Sequence, residues 1–167
     1  HRVRLATADG FSKQSRTAKP VASAVAGSFE QQGGRIRGAR YTAARIGEPE
    51  SWEVLERLSG ALAQTYRENA RSRFKRQEAW VQKNIHPDWV IKGTPFTTIT
   101  LNNKVRAAYH TDGGDLKVGL GLLYVMGHGF TGHDLVVPEY NVAARLHHND
   151  LLLFDPTVVH ANTECHA

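Results

Sequence analysis

At Gly93 the chain changes its period. Before it, apolar residues recur every three or four positions; after it they come in short β-branched or aromatic runs divided by Gly, Pro, Asn and Asp. From Glu48 to about Arg73, Trp52, Leu55, Leu58, Leu62 and Tyr66 make an amphipathic stripe, and Pro49 suits a first helical turn. A second helical piece over Phe74–Lys83 ends before His86-Pro87, because a residue preceding proline avoids the α region. Upstream, Val21–Phe29 reads as a short helix closed by Gly33-Gly34, and Arg35–Arg45 as strand-like. Beyond Gly93, strands are predicted at Phe96–Leu101, Val105–Tyr109, Leu116–Met126, Leu135–Val137, Val142–Leu146, Leu151–Phe154 and Thr157–His160. Helices followed by many short strands predict an α+β fold, its strands in a sandwich or barrel and its helices packed on one sheet.

At 167 residues and 41% apolar content, one domain is expected: residues 1–90 a mostly helical, basic support and residues 91–167 the strand core. No run approaches the roughly 18 apolar residues of a membrane span. His1-Arg2-Val3-Arg4 leads into polar sequence rather than a secretory leader, so no membrane association is expected. The single cysteine, Cys165, leaves no internal disulfide and no cysteine zinc site, which fits a reducing, cytoplasmic setting. Charge is uneven. Residues 1–90 hold 16 Lys/Arg against 9 Asp/Glu, and residues 91–167 hold 5 against 7. The cations cluster at Arg35, Arg37, Arg40, Arg45 and at Arg67, Arg71, Arg73, Lys75, Arg76. Such a half suits a nucleic-acid backbone and also suits a solvated helix face.

Three His-x-Asp strings occur: His86/Asp88, His110/Asp112 and His148/Asp150. The first has Pro87 in its middle, and the third sits where a tight turn should precede Leu151–Phe154; both read as turns. His110 differs. It ends a predicted strand, precedes Gly113-Gly114, and has His160 fifty residues downstream at the end of another strand. On an extended chain residues two apart share a face, so His110 and Asp112 can approach one ion. With His160 they form the two-histidine, one-carboxylate set of non-haem iron oxygenases, which leaves positions open for a co-substrate and dioxygen.

Thr94-Pro95-Phe96-Thr97-Thr98-Ile99-Thr100-Leu101-Asn102 and His110-Thr111-Asp112-Gly113-Gly114-Asp115-Leu116 resemble the core of the TET/J-binding-protein family of dioxygenases, closest to its phage-type 5-methylpyrimidine members. Gly132-His133-Asp134-Leu135-Val136-Val137-Pro138-Glu139-Tyr140 is similar to the family's GGxLxxPxY stretch, with His133 in place of the second glycine. Asn149–Phe154 and His160-Ala161-Asn162-Thr163 resemble its closing segment. The resemblance implies a double-stranded β-helix (jelly roll) that uses Fe(II) and 2-oxoglutarate to hydroxylate the 5-methyl group of 5-methylcytosine in DNA. The alternatives are thymine, a free nucleoside or a peptide substrate. It further implies that His110, Asp112 and His160 hold the iron, that Asp115 reads the base, and that Arg40, Arg37 and Asn102 lie by the co-substrate. A monomer acting on a base flipped out of the duplex is expected, in the cytoplasm of the host if the chain is phage-encoded. The family places an arginine after the distal histidine; none stands between Ala161 and Ala167, so the natural chain is expected to continue or Arg2 and Arg4 to substitute. A cupin-like binding module and a zinc hydrolase are the rival classes. The first should form no succinate, and the second lacks a general base near the triad.

Overall fold

The computed structural model describes residues 23–29 and 40–166. The chain divides into two compact units, residues 23–101 and a unit containing 102–166.

In the first unit, β1 (Ser23–Phe29) lies between β2 (Arg40–Tyr41) and a later strand. Of Val21–Phe29, expected as a helix, the described part Ser23–Phe29 is a strand. Gly27 explains the difference: its φ of +117° is non-helical, and a Cβ there would collide with the Thr97 carbonyl. Of the strand-like expectation for Arg35–Arg45, residues 35–39 lie outside the described residues, Arg40–Tyr41 is a strand, and helix α1 (Ala43–Gly47), capped by Thr42, follows. The Thr42 hydroxyl accepts from the N–H of Arg45 at 3.2 Å and of Gly27 at 3.1 Å, joining helix to strand.

Helix α2 (Pro49–Asn69) is followed by α3 (Arg71–Asn84), so the single helix expected to about Arg73 breaks at Ala70, whose φ of −135° leaves the α region. The break folds Phe74 edge-on against Tyr66, centroids 5.1 Å apart, and lets Arg67 lie over Phe74 and pair with Glu78 at 2.9 Å. Tyr66 donates to Gln77 at 2.9 Å, so its buried hydroxyl is satisfied. Helix α3 ends where His86-Pro87 required. Strand β3 (Thr98–Asn102) completes the sheet in the order β2-β1-β3. The core here is Ala26, Trp52 and Ile91, with Leu55, Phe96 and Ile99 packed against them.

The second unit is built from short ladders. Strand β4 (Gly121–Tyr124) pairs antiparallel with β8 (Leu151–Phe154); β6 (Leu135–Val137) lies between β7 (Val142–Ala144) and β9 (Ala161–Asn162); β5 (Thr131–Gly132) pairs with β10 (Cys165–His166). The architecture is mixed helix and strand, and no closed barrel forms among the described residues. Two predicted strands are absent as ladders. Val105–Tyr109 and Thr157–His160 form no ladder; His110 and His160 make an isolated bridge, and the Ala107 carbonyl accepts from the Asn162 N–H at 3.4 Å. A side chain adds to the pairing: Asn162 Oδ1 accepts from the Ala107 N–H at 2.6 Å, and its Nδ2 donates to the Val105 carbonyl at 3.0 Å. No described helix is long and apolar enough to cross a membrane.

Candidate metal centre

His110 and His160 face each other across an antiparallel bridge, each N–H donating to the other's carbonyl at 3.0 and 2.9 Å. Their rings lie 4.4 Å apart between centroids. Each ring is turned by its own backbone. His110 Nδ1 lies 2.7 Å from the Ala108 carbonyl and His160 Nδ1 lies 2.9 Å from that of Val158. A carbonyl only accepts, so both Nδ1 atoms carry the proton and both Nε2 atoms present lone pairs. These converge on Asp112: His110 Nε2 is 3.3 Å from one carboxylate oxygen and His160 Nε2 is 3.6 Å from the other. Neighbouring ligands of a six-coordinate ion with bonds of about 2.1 Å sit roughly 3 Å apart. The three residues therefore fit one divalent cation, and their ligand atoms all lie within 4.8 Å of one another.

The surroundings hold this geometry. The Asp112 N–H donates to the Pro156 carbonyl at 2.9 Å, and Asp115 closes a turn onto the Asp112 carbonyl at 3.0 Å. Asp155 accepts from the Thr157 N–H and hydroxyl at 2.9 and 2.6 Å, setting the turn that delivers His160. Phe154 stands edge-on to the His160 ring at 5.1 Å. His160 is 5% exposed, while Asp112 keeps 36% of its side chain open, so the ion would be reached from the carboxylate side. Burial of the carboxyl, and then the Asp112 charge, push Asp115 up to about 6, although the residue as a whole is exposed. A cation on Asp112 would offset the second cause.

Both rival His-x-Asp strings are turns, as expected. The His86 ring accepts from the Asp88 N–H at 3.3 Å, and the Asp150 carboxylate accepts from the His147 N–H at 2.7 Å. His133, at the family's second glycine, takes φ +62°, costing about 1–2 kcal/mol for a residue with a Cβ. Its Nε2 lies 3.0 Å from the Val105 carbonyl, so the substitution adds a tie to the segment leading to His110. Gly132 before it is obligatory, since a Cβ would collide with the Glu164 carbonyl.

Of the other predicted residues, Arg40 opens β2, Asn102 closes β3 with an exposed side chain, and Arg37 lies outside the described residues. Two residues were not singled out from sequence. Asn162 is the clamp already described. Arg106 is half-buried and keeps Nε shielded from solvent with no hydrogen-bond partner among the described residues. Asn162 could have been found from its place two residues after His160; the burial of Arg106 left no trace in the sequence.

Residues 28–167 match the family described as the oxygenase domain of the 2OGFeDO superfamily, Tet_JBP. Over 147 residues the chain is 33% identical to thymine dioxygenase JBP1 of Trypanosoma brucei brucei, covering 87% of this chain and 17% of the relative. It is 33% identical over 144 residues to thymine dioxygenase JBP1-B of Trypanosoma cruzi and 31% identical over 144 residues to thymine dioxygenase JBP1 of Leishmania braziliensis, in each case 85% of this chain and 17% of the relative. The chain thus spans about one sixth of the length of these curated relatives. No solved structure matches it. With that match across most of its length, the chain belongs to the TET/JBP oxygenase-domain family of the iron(II)- and 2-oxoglutarate-dependent dioxygenases.

Proposed function

We propose that this domain oxidises the 5-methyl group of a pyrimidine in DNA, with His110, Asp112 and His160 as its iron ligands. The observation that carries the reading is the convergence of two imidazole Nε2 atoms and one carboxylate on a single point, with both rings locked by backbone carbonyls. Bound iron and 2-oxoglutarate supply the activation of dioxygen and the oxidising power for a C–H bond. The chain's own residues hold the ligand atoms, set the tautomers and position the target. The match to the oxygenase family supports a jelly-roll arrangement for the strands of the second unit. The 2-oxoglutarate is assigned to Arg40, Arg37 and Asn102 by resemblance, and the unsatisfied Arg106 Nε is a further donor for an anion. A methyl group inside a duplex is out of reach of the iron, so the base is flipped out.

Thymine stands first as the target, supported by the thymine dioxygenase names of the relatives, ahead of the 5-methylcytosine that the sequence resemblance favoured. The second reading, 5-methylcytosine, rests on Asp115: an ionised carboxylate accepts from the cytosine amino group and repels the thymine carbonyl. The test is mass spectrometry of nucleosides from thymine-only and 5-methylcytosine-containing duplexes after incubation with the chain, iron(II), ascorbate and 2-oxoglutarate. Hydroxymethyl products are expected. Absence of both an oxidised pyrimidine and succinate would sink the reading. Asp115→Ala should lower the methylcytosine-to-thymine ratio by a factor corresponding to about 1–3 kcal/mol. An unchanged ratio at a reduced rate would make Asp115 a turn residue only.

A further inference from the structure

We infer that the exposed ridge Arg73-Arg76-Trp80-Lys83 of α3 is a docking surface for a DNA strand, phosphates on its cations and a base or sugar on its indole. The inference rests on the DNA reading above and places its contact surface. Steps of three, four and three put these residues on one ridge, within roughly 80° of the helix circumference. The helix buries Phe74, Gln77 and Val81, which fixes the ridge on a different side from the core contact. Trp80 is 41% exposed, Arg76 and Lys83 are exposed and Arg73 is half-buried.

Two further observations separate this ridge from an ordinary solvated face. Glu78 is the one acidic residue of α3, and it is taken up by Arg67 of α2 at 2.9 Å. Arg73, Arg76 and Lys83 make no ion pair among the described residues, so their charge is uncompensated locally. Nor does Trp80 stack on another ring or use its indole N–H among the described residues, where the other two tryptophans are engaged: Trp52 lies under Arg45 and Trp89 against Tyr41. A large aromatic left in water among unpaired cations matches a ligand that alternates anionic groups with flat, stackable ones. A nucleic-acid strand has that composition, and an acidic peptide lacks the flat component. The ridge is about 15 Å long, enough for several successive phosphates.

The test is fluorescence anisotropy of labelled single- and double-stranded DNA with the full chain, without iron or 2-oxoglutarate, over a series of salt concentrations. Replacing Arg73, Arg76 and Lys83 together by Gln should reduce the slope of log affinity against log salt by about 2–3. Trp80→Ala should weaken binding roughly 5- to 100-fold at unchanged slope. Quenching of tryptophan fluorescence by DNA should disappear in Trp80→Phe, a variant that keeps an aromatic ring in place. An unchanged slope in the triple variant, or quenching that survives Trp80→Phe, overturns the surface. So does a slope change from Lys92→Gln, an exposed cation off the ridge, that equals the triple variant's change per charge removed, since that would mean net charge without a site. Binding is read here without turnover, so a failure of the dioxygenase reading would leave these outcomes standing.

Discussion

In residues 23–101 the buried groups include the large Tyr66, Phe74, Ile91 and Trp52 beside small ones such as Ala26 and Ala63, with edge-on rings and a capped helix around them. In residues 102–166 the buried hydrophobics are Val105, Ala108, Leu135 and Ala161, and much of the site is fixed by backbone hydrogen bonds and one amide clamp. The first arrangement stabilises through apolar area removed from water, which is large and tolerant of small displacements. The second gathers three ligand atoms within 4.8 Å of one another, the scale of a single cation. Stability and chemistry are thus lodged in different parts of the chain.

The sharpest way to break this division is at the triad. Asp112→Ala should abolish oxidation, by nucleoside mass spectrometry, while the urea midpoint of the metal-free chain stays close to wild type. A loss of several kcal/mol would show that the carboxylate holds the fold as well. Phe74→Ala should do the reverse, costing about 3–5 kcal/mol in urea unfolding while metal affinity of the folded fraction is retained. Asn162→Ala should have the smallest effect, about 1–3 kcal/mol, because it leaves the Ala107 N–H without its acceptor. If the division holds, that loss appears mainly as weakened manganese binding in a calorimetric titration; a pure stability loss with unaltered metal affinity would assign Asn162 to the scaffold.

The two parts also differed in how far they could be read in advance. The metal set was legible because its requirement is chemical: particular residue types, two apart on an extended chain, with a second histidine returning later. Helix α3 was legible at its end because proline forbids the continuation. The break between α2 and α3 was expected near Arg73 and falls about three residues earlier, at Ala70, since alanine is the best helix former and gives no local stop signal. Strand β1 misled for a related reason: a short Ala/Val/Gly/Ser run has no decisive period, and its partners decided its conformation. Val105–Tyr109 looked like an ordinary strand because nothing local shows that Asn162, more than fifty positions away, supplies its hydrogen bonds.

The acceptors that turn the two histidine rings are the carbonyls of Ala108 and Val158, each two residues before its histidine. Every amino acid carries that oxygen. Many metal sites orient their imidazoles with a carboxylate side chain, which a single codon change can delete. Here the orienting group is immune to substitution at its own position, and only a change in backbone path would remove it. Position 158, half-buried, is thereby free to drift, and a library randomised there should return many metal-competent sequences, whereas the fully buried Ala108 is held by packing alone.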